Sequence, residues 1–123
     1  MSSNKETAES FLQMAASGKA REAFQLYIAE GFIHHNPFFS GDAESLISAM
    51  DANAEQNPDK TFEVKQTIEE EQKIAVHSHV KQHPHDPGAA VIHIFRFEHG
   101  RIVELWDIGQ GIPENSPNKN GIF

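Results

Sequence analysis

The 123-residue chain contains no cysteine. That excludes a disulfide framework, a thiolate nucleophile and a cysteine-ligated zinc. Basic residues are also scarce, ten Lys and Arg against eighteen Asp and Glu, for a formal charge of −8. They are scattered, whereas nucleic-acid binding rests on clustered cations that release phosphate counterions, so no nucleic-acid partner is expected. Long apolar runs are missing too. The longest nearly apolar stretch, Ala89 to Phe95, is interrupted by His93 and falls well short of the roughly 20 residues a bilayer requires, so no membrane partner is expected. Met1 to Ser10 is polar, carrying Lys5, Glu6 and Glu9, and lacks the apolar stretch of a secretory signal; a cytoplasmic location is the expectation. Internal repeats and low-complexity tracts are absent.

What remains is the composition of an ordinary globular domain, 38% hydrophobic and 23% charged, of a length suited to one domain over residues 1–123. Ser3 and Glu6 fit a capping box ahead of Phe11, Leu12, Ala15 and Ala16 at helical spacing, with Gly18 as the stop. Ala20, Ala23, Phe24 and Tyr27 continue a helical period toward Gly31. Residues 31–42, with His34, His35, Asn36, Phe38 and Phe39, show neither period and read as an extended loop. Asp42 can cap a third helix with Ala43, Leu46, Ile47 and Met50 on one stripe, ending before Asn57 and Pro58.

From Thr61 the character changes. Phe62, Val64 and Ile68 alternate with Glu63, Lys65 and Glu69, the period of a half-buried strand. Ile74 to Lys81, Ala90 to Glu98 and Arg101 to Ile108 follow as further strands, the last two joined by His99-Gly100 as a hairpin. Helices first and strands afterwards predict an α+β layer structure in which an antiparallel sheet wraps three amino-terminal helices. Residues 112–123, rich in Pro, Asn and Gly, read as an extended carboxy-terminal arm whose Ile122 and Phe123 could dock on a partner.

Strand alternation sorts the polar residues by face. His77 and His79 share one face and Val76, Ser78 and Val80 the other; the histidine face is taken as the concave one. His93 lies with Phe95 and Phe97, and Asp107 with Val103 and Leu105, while Glu104, Trp106 and Ile108 point the other way. A carboxylate among apolar neighbours is desolvated and held toward its neutral form, and a nearby histidine can share its proton, which is how a general acid/base is built. The bland reading is that Asp107 only orients a neighbouring backbone or histidine. The His77-Ser78-His79 pair could also begin a metal site completed by His35, His93 or Asp107, a weakly specific pattern. His83 and His85 lie in a Pro-rich turn and read as solvated.

A wider pattern joins these residues: His35-Asn36-Pro37 after a helix pair, the strand His77-Ser78-His79-Val80, and Ile94-Phe95-Arg96-Phe97 leading into Gly100-Arg101-Ile102-Val103-Glu104-Leu105-Trp106-Asp107. It resembles the SnoaL-like branch of the nuclear transport factor 2-like superfamily over most of the chain. More narrowly, it is similar to the bacterial group named as SnoaL-like enzymes of aldol condensation, whose ending resembles Pro113-Glu114 through Asn118 and Phe123. The resemblance implies a cone of three helices on a strongly curved sheet, a pocket at its open end and a homodimer formed through the sheet. It also implies intramolecular aldol closure by a pocket carboxylate without metal or cofactor, with Asp107 as the counterpart. Two positions depart from the pattern: His93 stands where related sequences carry an acid, and Leu105 where they carry a histidine before Trp-Asp.

Three functions are therefore open. The first is an enzyme in which Asp107, paired with His93, removes a proton next to a carbonyl while His35, Asn36, His77 or His79 donates to the enolate oxygen; His35 and His79 are the catalytic candidates among these, and Asn36 and His77 bind substrate. The reaction is an aldol condensation or cyclisation, an isomerisation or a dehydration on a small molecule. The second is a binding module for an apolar ligand held by Phe95, Phe97, Trp106 and the Phe38-Phe39 loop. The third is a metal site on the histidines.

Overall fold

The computed structural model describes residues 3–123. Helix α1 spans Asn4–Ala16, and its start is the capping box read from the sequence, Ser3 Oγ accepting from the Glu6 N–H. Helix α2 spans Ala20–Tyr27 and α3 spans Ala43–Gln56. The Asp42 carboxylate caps α3 by accepting from the Ser45 N–H at 2.8 Å; that bond and the Ser45 hydroxyl hold its pKa below the ordinary carboxylate value. No helix among the described residues is long and apolar enough to cross a membrane.

Five strands make one sheet: β1 (Ile28–His34), β2 (Thr61–Glu70), β3 (Lys73–Lys81), β4 (Ala89–Glu98) and β5 (Arg101–Gly111), in the order β1-β5-β4-β3-β2. Strands β2 to β5 form an antiparallel meander, and β1 pairs parallel with β5. The β4–β5 turn is the two-residue His99-Gly100, both at positive φ, the geometry that matches the twist of a tight hairpin.

Strand β1 corrects the loop reading of residues 31–42. Its pairing slips between Ile28 and Ile33, around Gly31 at φ 83°. A glycine bulge of this kind erases the two-residue period by which a strand is recognised. The segment is extended because β5 offers an unpaired edge, a long-range cause that local pattern does not contain.

One face of the sheet meets the helices. Phe11 and Leu12 of α1, Phe24 of α2 and Leu46 of α3 pack with Ile74, Val76, Phe95, Phe97, Ile102 and Leu105 into the core. Phe11 stands edge-on to Phe95 at 5.8 Å and 81°. Burying such a side chain contributes about 2–3 kcal/mol each before its ordering entropy.

Bulges reset the alternation twice in the antiparallel ladders. The slip between Val64 and Gln66 leaves Phe62 and Val64 facing the helices but turns Ile68 outward, 60% exposed. The slip between Arg96 and Phe97 makes Ile102, rather than Val103, the buried companion of Leu105. Bulges are what bend a sheet; with only these two in the antiparallel ladders the sheet is not strongly curled. That corrects the strongly curved cone implied by the resemblance.

Residues 112–123 contain no helix or strand. Ile112 N–H donates to Gly88 O, and the chain returns over the sheet to lay Phe123 on His77 (5.3 Å) and His79 (4.8 Å), with Lys65 Nζ 5.2 Å from the ring. Phe123 thus packs on the outer face of its own sheet.

Candidate functional site

His93 and Asp107 sit directly opposite each other on β4 and β5, on the helix-facing side with Phe95 and Leu105. Cross-strand neighbours of this kind hold their Cβ atoms about 5 Å apart. Asp107 is half-buried, and its Oδ2 accepts from Asn36 Nδ2 at 2.9 Å. Asn36 is locked in that orientation: its Oδ1 accepts from the Phe38 N–H at 2.9 Å, so the amide nitrogen must face the carboxylate.

The anchor behind Asn36 is His34, a buried histidine that sequence reasoning placed only in the loop. Its Nε2 donates to Ser40 O at 2.9 Å, and its Nδ1 accepts from the Asn36 N–H at 3.2 Å. Both ring nitrogens are thereby committed, which fixes the tautomer and draws the His35–Asp42 segment over the end of β5. The site carboxylate is thus positioned by a relay from the α3 cap through His34 and Asn36.

The space around this pair divides into adjoining recesses. One, about 370 Å³, is lined by Asn36, Phe38, Val91, His93 and Asp107. Another, about 260 Å³, shares Asn36 and Asp107 and adds Asn53, Lys60 and Gln82. A third, about 190 Å³, shares Lys60 and His93 and is otherwise apolar. Among the described residues, three buried side-chain polar atoms have no hydrogen-bond partner: Ser78 Oγ, Gln82 Oε1 and His93 Nδ1. All three residues lie on β3, β4 or the turn between them, and two of them line these recesses. Buried polar atoms are almost always paired, so unpaired ones at a cavity wall mark unfilled binding capacity.

Burial pushes the His93 imidazole down to about 4, with Lys60 adding to the fall and Asp107 opposing it. His93 is therefore a neutral ring at neutral pH. Lys60, just before β2, is also half-buried; loss of hydration pulls its ammonium below the ordinary value. It is the residue that sequence reasoning missed altogether, although a signal was present: 60, 62 and 64 share one strand face, so Lys60 points inward with Phe62 and Val64.

Several expected site residues fall elsewhere. The buried face of β3 is Ile74, Val76 and Ser78, so the choice of the histidine face is reversed. His77 accepts from Gln66, and His79 donates to Pro87 O at 2.8 Å. His35 and Trp106 are likewise on the outer face, stacked at 5.0 Å; His35 Nε2 donates to Glu104 at 2.6 Å, and Glu104 also accepts from Arg96 at 2.9 Å. These two partners hold the Glu104 carboxyl below its ordinary value. Phe95 and Phe97 are wholly buried in the core and line none of these recesses. Phe38, 86% exposed, stands at the mouth. His83 and His85 are exposed. Among the described residues no three metal-ligating side chains gather, because the histidines are split between the two faces.

Three helices on a five-stranded, mostly antiparallel sheet, with a carboxylate in a recess between the layers, define the class. The SnoaL-like domain family matches residues 8–105, and the chain belongs to that family. Solved structures share the fold. AclR from Streptomyces galilaeus, named for a proposed hydroxylase activity, is 17% identical with a TM-score of 0.72, covering 87% of this chain and 88% of its own. IdmH from Streptomyces antibioticus, named as a candidate polyketide cyclase, is 20% identical with a TM-score of 0.71, covering 89% and 93%. A nuclear transport factor 2-like protein of unknown function from Cytophaga hutchinsonii is 14% identical with a TM-score of 0.70, covering 89% and 92%. No curated protein sequence matches the chain.

Proposed function

We propose that the protein is a cofactor-independent enzyme of acid/base chemistry at a small carbonyl compound, a cyclase-like aldol condensation, an isomerisation or a dehydration. The observation that carries this reading is Asp107: a half-buried carboxylate held by one amide donor, opposite a neutral buried histidine, in a recess with unfilled hydrogen-bonding capacity. Asp107 removes the proton next to the carbonyl. The Asn36 amide keeps one oxygen of the carboxylate engaged so that the other is presented to substrate. His93, neutral at the working pH, is the orienting partner and can donate to an oxygen on which negative charge develops. Phe38 covers the entrance.

The test is deuterium incorporation next to the carbonyl of small ketones, headed by cyclohexanone, followed by proton NMR. Asp107→Asn is expected to slow exchange by about 10²–10⁴-fold, the usual worth of a positioned base, with the circular dichroism spectrum unchanged. Equal exchange by the two proteins would overturn the reading.

The same proposal treats residues 1–123 as one domain with 112–123 as its arm, acting as a homodimer through the outer sheet face. Exposed Ile68, Ile92 and Ile108, with Trp106 beside them, form an apolar stripe there, the kind of patch that a second subunit covers.

A further inference from the structure

Lys60 is half-buried and lines two of the recesses around the site. Like most lysines of this chain, it forms no ion pair among the described residues. Its Nζ instead donates to the neutral Asn53 Oδ1 on α3, at 2.7 Å. The aliphatic stem lies in the apolar recess with Leu12, Met50, Phe62, Val80 and Val91, and the same side chain lines the recess that holds Asp107. A lysine meant only to tie α3 to β2 would do so at the surface, where its charge stays hydrated. Here the side chain is carried inward to the recess that the candidate base also lines, with one neutral partner.

We propose that Lys60 is a covalent attachment point for an aldehyde or ketone, condensing with it to an imine inside the recess. This rests on the reading of the pocket as a site for small carbonyl compounds. The nitrogen lone pair attacks the carbonyl carbon; a C–N bond forms as the carbonyl π pair moves to oxygen, which takes one of the two nitrogen protons. The carbinolamine then loses that oxygen as water, a second proton being drawn from solvent, to leave the C=N bond with the remaining proton on nitrogen. Each step balances with no oxidant or reductant. Desolvation favours the neutral, nucleophilic amine that this chemistry needs. Protonated on nitrogen, the imine is a stronger electron sink than the free ketone, so the adjacent C–H becomes more acidic to Asp107. Gln82 Oε1, buried without a partner in the same recess, is placed to accept from the carbinolamine hydroxyl.

The experiment is reductive trapping of the intact protein with cyclohexanone and sodium cyanoborohydride at neutral pH, followed by peptide mapping by mass spectrometry. Lys60 is expected to be alkylated at least about tenfold faster than the exposed Lys65 or Lys119, as befits an activated amine. Lys60→Arg, which keeps the charge, and Lys60→Met, which keeps the apolar stem, both lose that fast phase while retaining the circular dichroism spectrum. Trapping of Lys60 no faster than that of Lys65 overturns the imine. The two readings separate in the unsubstituted protein: exchange without trapping removes the imine and leaves the acid/base function, whereas trapping without Asp107-dependent exchange does the reverse. Should either variant fail to fold, the relative labelling of the seven lysines in the unsubstituted chain decides the matter alone.

Discussion

Two histidine–carboxylate neighbourhoods occupy opposite sides of the same stretch of sheet. On the outer side His35 and Glu104 are joined at 2.6 Å, Arg96 adds a second bond to the same carboxylate, and Trp106 stacks on the imidazole. On the inner side His93 and Asp107 face each other across β4 and β5 with no bond between them among the described residues, and a ring nitrogen of His93 has no partner. The outer group is saturated: every charge has an opposite charge in contact, and water screens the remainder. The inner group is sheltered between the layers and incompletely partnered. Residue types alone would rank the two alike, and what separates them is how much hydrogen-bonding capacity folding leaves unused.

The widest separation between the faces is expected in proton exchange. Asp107→Asn lowers it by about 10²–10⁴-fold, whereas Glu104→Gln leaves it within about twofold, since Glu104 lies on the outer face away from the recess. Comparable slowing in both variants would erase the distinction. Stability should divide next. Phe95→Ala, which opens a cavity under the site, is expected to cost about 3–5 kcal/mol in urea unfolding. Ile108→Glu, on the outer stripe, should leave the unfolding of the protomer within about 1 kcal/mol while dissociating the proposed dimer in sedimentation experiments. A dimer that persists would move the interface elsewhere.

Acid should expose the inner histidine. The imidazole of His93 protonates near its ordinary value of 6.5 in the unfolded chain but only at about 4 when folded. Between those values the unfolded state binds more protons, so this stability contribution is complete above about pH 6.5 and is lost as pH falls toward 4. The loss is on the order of 3 kcal/mol, and His93→Leu should flatten that limb of the stability–pH curve. An identical acid limb in the variant would show that His93 is already hydrated in the folded protein. The smallest effect belongs to Asn36→Ala, expected to slow exchange by about tenfold, near 1.4 kcal/mol, through a carboxylate that is present but less well aimed.

Most of the layer plan was legible beforehand. Ser3 and Asp42 announced two helix starts, His99-Gly100 announced the hairpin, and the alternation around His93 and Asp107 put both on the buried side. Each of these signals is local, carried by residues within one turn or one strand. The failures share a cause as well. Strand β1 exists through its pairing with β5 across Gly31; Ile68 and Ile102 changed faces at bulges that no periodicity foretells; and His77 and His79 presented a face ambiguity that only the position of the helices resolved. Lys60 was readable in principle by its parity with Phe62 and Val64, but a lysine next to a helix stop reads as solvated until its surroundings are known.

The amino-acid sequence by itself determined the three helices and the four-strand meander, the absence of thiol chemistry and the pairing of Asp107 with an apolar stripe, because capping, turn geometry and side-chain period act over a few residues. The tertiary structure alone decided which histidines face the helices, that His34 and Asn36 aim the Asp107 carboxylate, and that Lys60 enters the same recess. Those outcomes depend on bulges and on contacts between residues some seventy positions apart, such as Asn36 with Asp107, and the desolvation of His93 and Lys60 arises only when the layers close over them.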